Sequence, residues 1–141
     1  MIIDATDLIL GRLATFVAKR LLSGEQVTTV NAERAVISGG REKTLDTYEA
    51  WLQIRNLANP RKGPFHPKRP DDLVRLTVRG MLPFDQARGR VAYRKLDVYV
   101  GVPAELKDKQ MQSVDGASLK RLGTRRLIRV GELSKHLSAK F

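Results

Sequence analysis

The sequence contains no cysteine, which excludes a disulfide framework and a thiolate metal site and fits a reducing compartment. No apolar run approaches the roughly 20 residues that a membrane span requires. The amino terminus, MIIDATD, lacks the basic start, apolar run and cleavage site of a secretory signal. These absences predict a cytoplasmic protein without a membrane partner.

Acidic residues are scarce over one part of the chain. Between Arg55 and Lys95, eleven Arg and Lys residues accompany three acids, whereas residues 1–54 hold six basic and seven acidic residues. The formal net charge of +11 therefore lies beyond residue 54. Charge this one-sided repels itself and indicates a polyanionic partner. Because arginine forks suit phosphate oxygens and stack on bases, the stretch predicts an RNA-binding surface.

The remaining composition is that of a folded protein. A chain of 141 residues with 42% hydrophobic content can bury a core, so we expect one domain over residues 1–141. The amino-terminal pattern predicts a short strand at Ile2 and Ile3, a helix from Leu10 to Leu22 where apolar residues recur every three or four positions, and a strand from Gln26 to Val30. A strand, a helix and a second strand in this order predict an α/β fold with a parallel sheet. Thr6 or Asp7 is expected to cap the helix, and Gly24 to end it.

Beyond residue 40 the pattern predicts further elements. Helices are expected near 41–55, after Asp71 and Asp72, over 85–96 with Ala87, Val91 and Ala92 inward, and over 132–137. Strands are expected at 96–102 and 127–130, and residues 103–123 are expected to be mostly irregular with a short helix near 118–122.

Three local features have two interpretations each. Gly39 and Gly40 follow an apolar run, but the spacings of phosphate-binding loops are missing, so a nucleotide site is disfavoured. Tyr48 and Trp51 have helical spacing, which favours core packing over base stacking. Asp71 and Asp72 stand where a helix begins, so they are predicted to cap the helix and complement its dipole rather than to bind metal or to act in catalysis.

Four prolines exclude regular structure from residues 56–70. So long a loop is typically functional, and this one is basic. Phe65 and His66 add two rings that could stack on bases. The alternative is a solvated loop with Phe65 tucked beneath it.

Two successive predicted helices each carry an arginine pair four residues apart, Arg75 with Arg79 and Arg90 with Arg94. Such pairs can be solvated faces, but acidic partners are missing at nearby helical positions. A second basic cluster consists of Lys120, Arg121, Arg125, Arg126 and Arg129. The predicted RNA-binding residues are Arg61, Lys62, Phe65, His66, Lys68, Arg69, Arg75, Arg79, Arg88, Arg90, Arg94, Lys95, Lys120, Arg121, Arg125 and Arg126.

Several motifs carry a resemblance to a known family. LGRLA (10–14), NAERAVISG (31–39) and RGMLP (79–83), with HPKRP before RGMLP and RGRVAYRKLDVYVGVP after it, resemble the family of the thirteenth protein of the large ribosomal subunit over nearly the whole chain. HPKRP and RGMLP resemble the archaeal and eukaryotic branch, and the short length suggests an archaeon.

The resemblance implies a three-layer α/β/α fold around a mainly parallel four-stranded sheet, with a basic extended loop. It implies a structural constituent of the large subunit that binds 23S-type rRNA and supports subunit assembly and translation. Residues 61–69 with Arg79, Arg88 and Arg90 would touch RNA, and neighbouring large-subunit proteins would be further partners. No cofactor, metal, small-molecule substrate or self-association is expected.

The chain departs from its relatives at two places. Phe84, Asp85 and Gln86 stand where a His-Lys-Thr-like run is common, which removes positive charge beside the predicted surface. Residues 104–106, Ala-Glu-Leu, replace a Tyr-Asp-Lys-like segment, so the family's protein contacts near Pro103 do not transfer directly.

Two other functions compete with the ribosomal one. A free RNA-binding translational regulator outside the ribosome would use the same chemistry. An enzyme would have to use His66, His136 or the pair of Asp71 and Asp72, and it would lack a cysteine nucleophile and a recognisable serine elbow. The sequence therefore predicts a protein that is not an enzyme.

Overall fold

The computed structural model describes residues 1–123 and 126–141. The strands in this part of the chain are β1 (Ile2–Asp4), β2 (Val27–Val30), β3 (Val36–Ser38), β4 (Leu96–Val98) and β5 (Leu127–Arg129). The helices are α1 (Leu10–Leu22), α2 (Arg41–Gln53), α3 (Pro70–Gly80), α4 (Ala87–Tyr93) and α5 (Val130–His136). Single 3-10 turns lie at Ala32–Arg34, Pro60–Lys62, Ala104–Leu106, Asp115–Ala117 and Leu119–Arg121.

Helix α1 has the predicted bounds, because apolar residues recur every three or four positions and most of them face the core; Leu22 at its last position is exposed. Gly24 ends it as predicted, with a φ of +92°. The predicted cap is wrong: Ile9 precedes the helix and no side chain caps it. Thr6 and Asp7 are engaged elsewhere, since the Thr6 hydroxyl donates to Asp4 and the Asp7 carboxylate pairs with Arg129.

The parallel sheet has the order β1-β2-β4. Both crossovers move in the same direction across the sheet, and right-handed crossovers of this kind place their helices on one face. In agreement, α1 packs against both α3 and α4. The covered face is lined by Ile3, Val27, Thr29, Leu96 and Val98, all buried. The α/β class is confirmed.

The number of parallel strands differs from the prediction. The predicted strand 127–130 is β5, and it pairs antiparallel with β3, which the sequence analysis did not identify. The parallel sheet therefore has three strands rather than four. At its β1 edge, Gln112 forms an isolated parallel bridge with Ile3, with hydrogen bonds from Asp4 N to Gln112 O and from Gln112 N to Ile2 O. A single residue of the irregular segment thus extends the parallel sheet.

Side-chain hydrogen bonds to Asp4 connect the carboxyl ends of β1 and β2. Asn31 takes the left-handed conformation with a φ of 55° and donates its side-chain amide to Asp4 Oδ1 at 2.9 Å. The Thr6 hydroxyl donates to the same oxygen at 2.7 Å. Burial by itself raises the pKa of the Asp4 carboxyl, but the hydrogen bonds from Asn31 and Thr6, with the nearby Arg34 charge, lower it below its ordinary value.

Helix α4 is rotated relative to its predicted orientation. Ala92 faces the core as predicted, together with Gly89, whereas Ala87 and Val91 are exposed and their predicted inward orientation is wrong. The reason is that Gly89 approaches the backbone of Pro83, a distance that only a residue without a Cβ allows. Within residues 1–123 and 126–141, no helix has the length and apolar character needed to span a bilayer.

Candidate nucleic-acid interface

The proline-rich loop is anchored at one histidine. His66 Nε2 donates to the Ile54 carbonyl at 2.8 Å, and the imidazole meets Trp51 edge to face with ring centroids 4.4 Å apart. The next residue, Pro67, is buried. These contacts fix both the start and the end of the loop. The partly buried His66 ring therefore serves as an anchor for the basic residues around it.

Phe65, directly before the anchor, is 83% exposed. The alternative of a ring tucked beneath the loop is therefore wrong. Tyr48 packs against the core, as predicted. Trp51 is half-buried, and its ring centroid lies 6.0 Å from that of Tyr48. Of these rings, Phe65 has most of its surface free to contact a partner.

Helix α3 begins at Pro70, with Asp71 and Asp72 in its first turn, as predicted. Acids there complement the positive end of the helix dipole. The predicted capping is wrong: Arg69 occupies the N-cap position and no side chain caps α3 by a hydrogen bond, because both acids lie inside the first turn. Asp71 instead forms an ion pair with Arg69 at 3.2 Å.

The arginine pair on α3 rests on aromatic rings. The Arg75 guanidinium carbon lies 5.6 Å from the Tyr93 ring centroid, and that of Arg79 lies 4.1 Å from the Phe84 centroid. Phe84 and Tyr93 meet edge to face at 5.5 Å. Stacking leaves the guanidinium N–H groups available at the edges while restricting the side chain. The two arginines are thereby ordered before any partner binds.

The basic residues of α4 and of the two positions after it have different roles. Arg90 Nη1 donates to the Asp85 carbonyl at 2.9 Å and to the Phe84 carbonyl at 3.4 Å, which ties α4 to the preceding turn. Lys95 Nζ donates to the Gly24 carbonyl at 2.8 Å. Arg88 and Arg94 are exposed and make no side-chain hydrogen bond or ion pair in the described structure.

The charge of the surface is largely uncompensated. Among the eleven basic residues from Arg55 to Lys95, all of which the structure describes, Arg69 alone has a carboxylate within 4.0 Å. In residues 1–54 three of the six are paired, Arg20 with Glu25, Arg34 with Glu33 and Arg41 with Glu132. The basic surface is defined as these eleven Arg and Lys residues from Arg55 to Lys95, which lie in loop 55–69, in helices α3 and α4, and at the two positions that follow α4.

The second basic cluster lies near the amino-terminal end of α1. Lys120, Arg121 and Arg126 are exposed, whereas Arg125 lies outside the described residues. The Gly116 carbonyl accepts from Arg12 Nη1 at 3.5 Å, and three residues later Thr15 Oγ1 donates to Met81 Sδ at 3.5 Å. Helix α1 therefore connects this cluster to the end of α3.

Arg12 was missed by the sequence analysis as a candidate contact. It stands alone in a nearly neutral segment, so no run of charge marks it. The LGRLA motif that contains it was the available signal.

The residues considered for an enzyme have separate structural contacts. His136 of α5 pairs with Glu49 of α2 at 2.5 Å, while His66 anchors the loop and Asp71 pairs with Arg69. In residues 1–123 and 126–141, no group of three or more His, Asp or Glu side chains is arranged to hold a metal ion.

The fold and the site define a basic α/β protein whose positive surface is ordered and largely unpaired. Residues 1–105 match the family model described as Ribosomal protein L13, and the chain belongs to this family. Members are structural components of the ribosome rather than enzymes, in agreement with the sequence prediction.

Similar proteins cover nearly the whole chain. The large ribosomal subunit protein uL13 of Methanococcoides burtonii is 49% identical over 140 residues, covering 99% of each chain. That of Methanosarcina barkeri is 49% identical over 141 residues, with 99% of each chain covered. The protein of the same name from Methanocaldococcus jannaschii is 47% identical, covering 99% of this chain and 98% of its own. The resemblance to the archaeal branch is confirmed.

Proposed function

We propose that this protein is a structural constituent of the large ribosomal subunit that binds large-subunit rRNA through Arg and Lys contacts with phosphates. It would act in the cytoplasmic ribosome, supporting subunit assembly and translation beside neighbouring ribosomal proteins. The observation that carries the proposal is the basic surface, where one of eleven cations has an acidic partner.

The mechanism is electrostatic clamping. Each phosphate neutralised by a basic side chain releases condensed counterions, which drives association at physiological salt. Arg75 and Arg79 are already held over Tyr93 and Phe84, so less side-chain freedom is lost on binding. The folded domain holds the contacts in fixed register, and no reaction is required.

Matched triple variants test the use of this surface. Replacing Arg79, Arg88 and Arg94 by Ala removes three unpaired charges, so the log-log salt slope of rRNA binding should fall by roughly two units. Replacing Arg20, Arg34 and Arg41 by Ala removes the same formal charge from residues that already have acidic partners. This control should keep nearly the wild-type slope. Equal slopes for the two triple variants would refute the assignment.

Sedimentation of a native extract tests the ribosomal context. Under the proposal the chain co-sediments at low salt with other large-subunit proteins in near one-to-one amounts, measured by mass spectrometry across a sucrose gradient. A free regulator would instead remain at the top of the gradient.

A further inference from the structure

A pocket opens where the three parts of the basic surface meet. Phe65 and Pro67 of the loop form one side, Tyr93 of α4 forms another, and the floor comes from Asp72, Arg75 and Arg79 on one face of α3. Its volume is about 210 Å³. That is several times the roughly 30 Å³ share of a water molecule, so the pocket has room for a ring-sized group.

The carboxylate in this pocket is the unexpected feature. Asp72 is half-buried and has no hydrogen-bond or ion-pair partner among the described residues. Its neighbour Asp71, by contrast, is paired with Arg69. Asp72 complements the α3 dipole, as Asp71 does, but its unpartnered carboxylate also faces a pocket, where it can accept hydrogen bonds from a ligand that carries donors as well as negative charge.

The walls fit the other parts of such a ligand. Phe65 presents an exposed ring, held in place by the His66 anchor and the buried Pro67. Arg75 and Arg79 lie at the pocket floor and can donate to phosphate oxygens. A stacking ring, phosphate donors and a carboxylate acceptor together match an unstacked nucleotide, the form in which proteins read RNA sequence.

We propose that this pocket receives one unstacked RNA nucleotide and prefers guanine. The inference rests on the proposed function, because it assumes that the basic surface binds RNA. The base stacks on Phe65, its phosphate contacts the α3 arginines, and the Asp72 carboxylate accepts from guanine N1–H and N2–H. Guanine alone of the four bases offers two adjacent donors on that edge; adenine and cytosine offer one amino group and uracil one imino group.

The first experiment uses the full chain and an RNA hairpin with a single bulged nucleotide. Fluorescence anisotropy gives the Kd for guanine, adenine, cytosine or uracil at the bulge, and for inosine, which lacks the N2 amino group. We expect guanine to bind about tenfold more tightly than the others, and inosine to lose most of this preference. Equal affinities for all five RNAs would overturn the proposal.

Two adjacent acids provide the matched variants. Asp72→Asn removes one acceptor from the pocket and should abolish the guanine preference. Asp71→Asn makes the same charge change one residue away and should retain the preference, since Asp71 is already paired. The same loss in both variants would show that charge, and not base recognition, causes the effect, and would overturn the proposal.

The stacking contact has its own test. Phe65→Ala should weaken binding of the guanine-bulge hairpin by about tenfold with an unchanged salt slope, because stacking releases no counterions. Tyr99→Ala removes another exposed ring, which lies in a different pocket, and should leave this affinity unchanged. Unchanged affinity in Phe65→Ala would overturn the stacking assignment.

A hairpin without a bulge separates the two proposals. If this hairpin binds in a salt-dependent way and all bulged RNAs bind with equal affinity, the proposed function is supported and the nucleotide-binding role of the pocket is refuted. If no RNA binds at low salt, both the proposed function and the nucleotide-binding role of the pocket are refuted.

Discussion

Gly89 gives the sharpest test of how α4 is positioned. Intrinsic helix propensity predicts that Gly89→Ala stabilises a helix by about 1 kcal/mol. The structure predicts the opposite, because an ideal Cβ at this position would lie 2.1 Å from the Pro83 carbonyl oxygen and 2.5 Å from its carbon. Both atoms belong to the backbone, so no side-chain rotation relieves the clash.

The size of the effect follows from the contacts that must change. Opening the clash forces α4 away from the preceding turn, and overpacking of this kind costs about 1–3 kcal/mol. The hydrogen bonds from Arg90 to the Phe84 and Asp85 carbonyls would weaken, at about 1 kcal/mol. After the propensity gain, we expect a net loss of about 2 kcal/mol in the free energy of unfolding.

Urea unfolding measures this loss. Trp51 is the chain's single tryptophan, and its fluorescence can be followed together with far-ultraviolet circular dichroism. With a slope of about 1–3 kcal/mol per molar urea, the midpoint should fall by roughly 1 M. A Gly89→Ala midpoint equal to or above that of the wild type would refute the packing argument.

Gly11→Ala is the matched control. Gly11 lies in α1, and an ideal Cβ there has no neighbour within 4 Å. Without a clash, the propensity effect should prevail, so we expect stabilisation of up to about 1 kcal/mol. Displacement of α4 also moves its arginines, so Gly89→Ala should weaken RNA binding while Gly11→Ala should not.

Two further variants test the hydrogen bonds of Asp4 between β1 and β2 and the role of Gly24 at the end of α1. The lowered pKa of folded Asp4 means that its contribution is present above the ordinary value of 3.8 and is lost as the pH falls through the folded value. The stability difference between the wild type and Asp4→Asn should therefore shrink between pH 6 and pH 3 in urea unfolding; a constant difference would contradict the assignment. Gly24→Ala places an L residue at a φ of +92° and should lower stability by about 1 kcal/mol, whereas Gly116→Ala, with open space, should be nearly neutral.

The amino-terminal part of the fold could be predicted because its signals are local. Helix α1 repeats its apolar residues over more than three turns, and the flanking β-branched runs are short and separated by one crossover. The bounds of α1 were correct for that reason. Its cap was not, because Thr6 and Asp7 bind Asp4 and Arg129, partners that helix periodicity does not specify.

The pairing of β3 with β5 could not be predicted from local pattern. Each strand has three residues, and Val36 pairs with Arg129, which lies far along the chain. The residue types of Leu127–Arg129 do not indicate which strand it pairs with, or whether the pair is parallel or antiparallel. The contact of Gln112 with β1 is similarly nonlocal, and it arises in a segment without any sustained period.

The excess of positive charge was evident in the sequence, but which basic residues pair with carboxylates was not. Arg41 pairs with Glu132 across most of the chain, so composition alone does not reveal that the early basic residues are matched. Within the basic surface, Arg69 pairs with a close neighbour while Arg88 and Arg94 have no acid in reach. The exposure of Phe65 also depends on a tertiary contact, the anchoring of His66 against Trp51.

Phe84 shows how a sequence departure changes meaning in the structure. The family resemblance implies that Phe84 lies in a segment where this chain has less positive charge than its relatives. In the fold its ring lies 4.1 Å from the Arg79 guanidinium carbon and packs edge to face on Tyr93, which in turn supports Arg75. The aromatic residue therefore supports existing charges in place of adding one. A cation that is already held over a ring loses less side-chain entropy on binding, so we expect Phe84 to strengthen the contact that Arg79 makes with a phosphate.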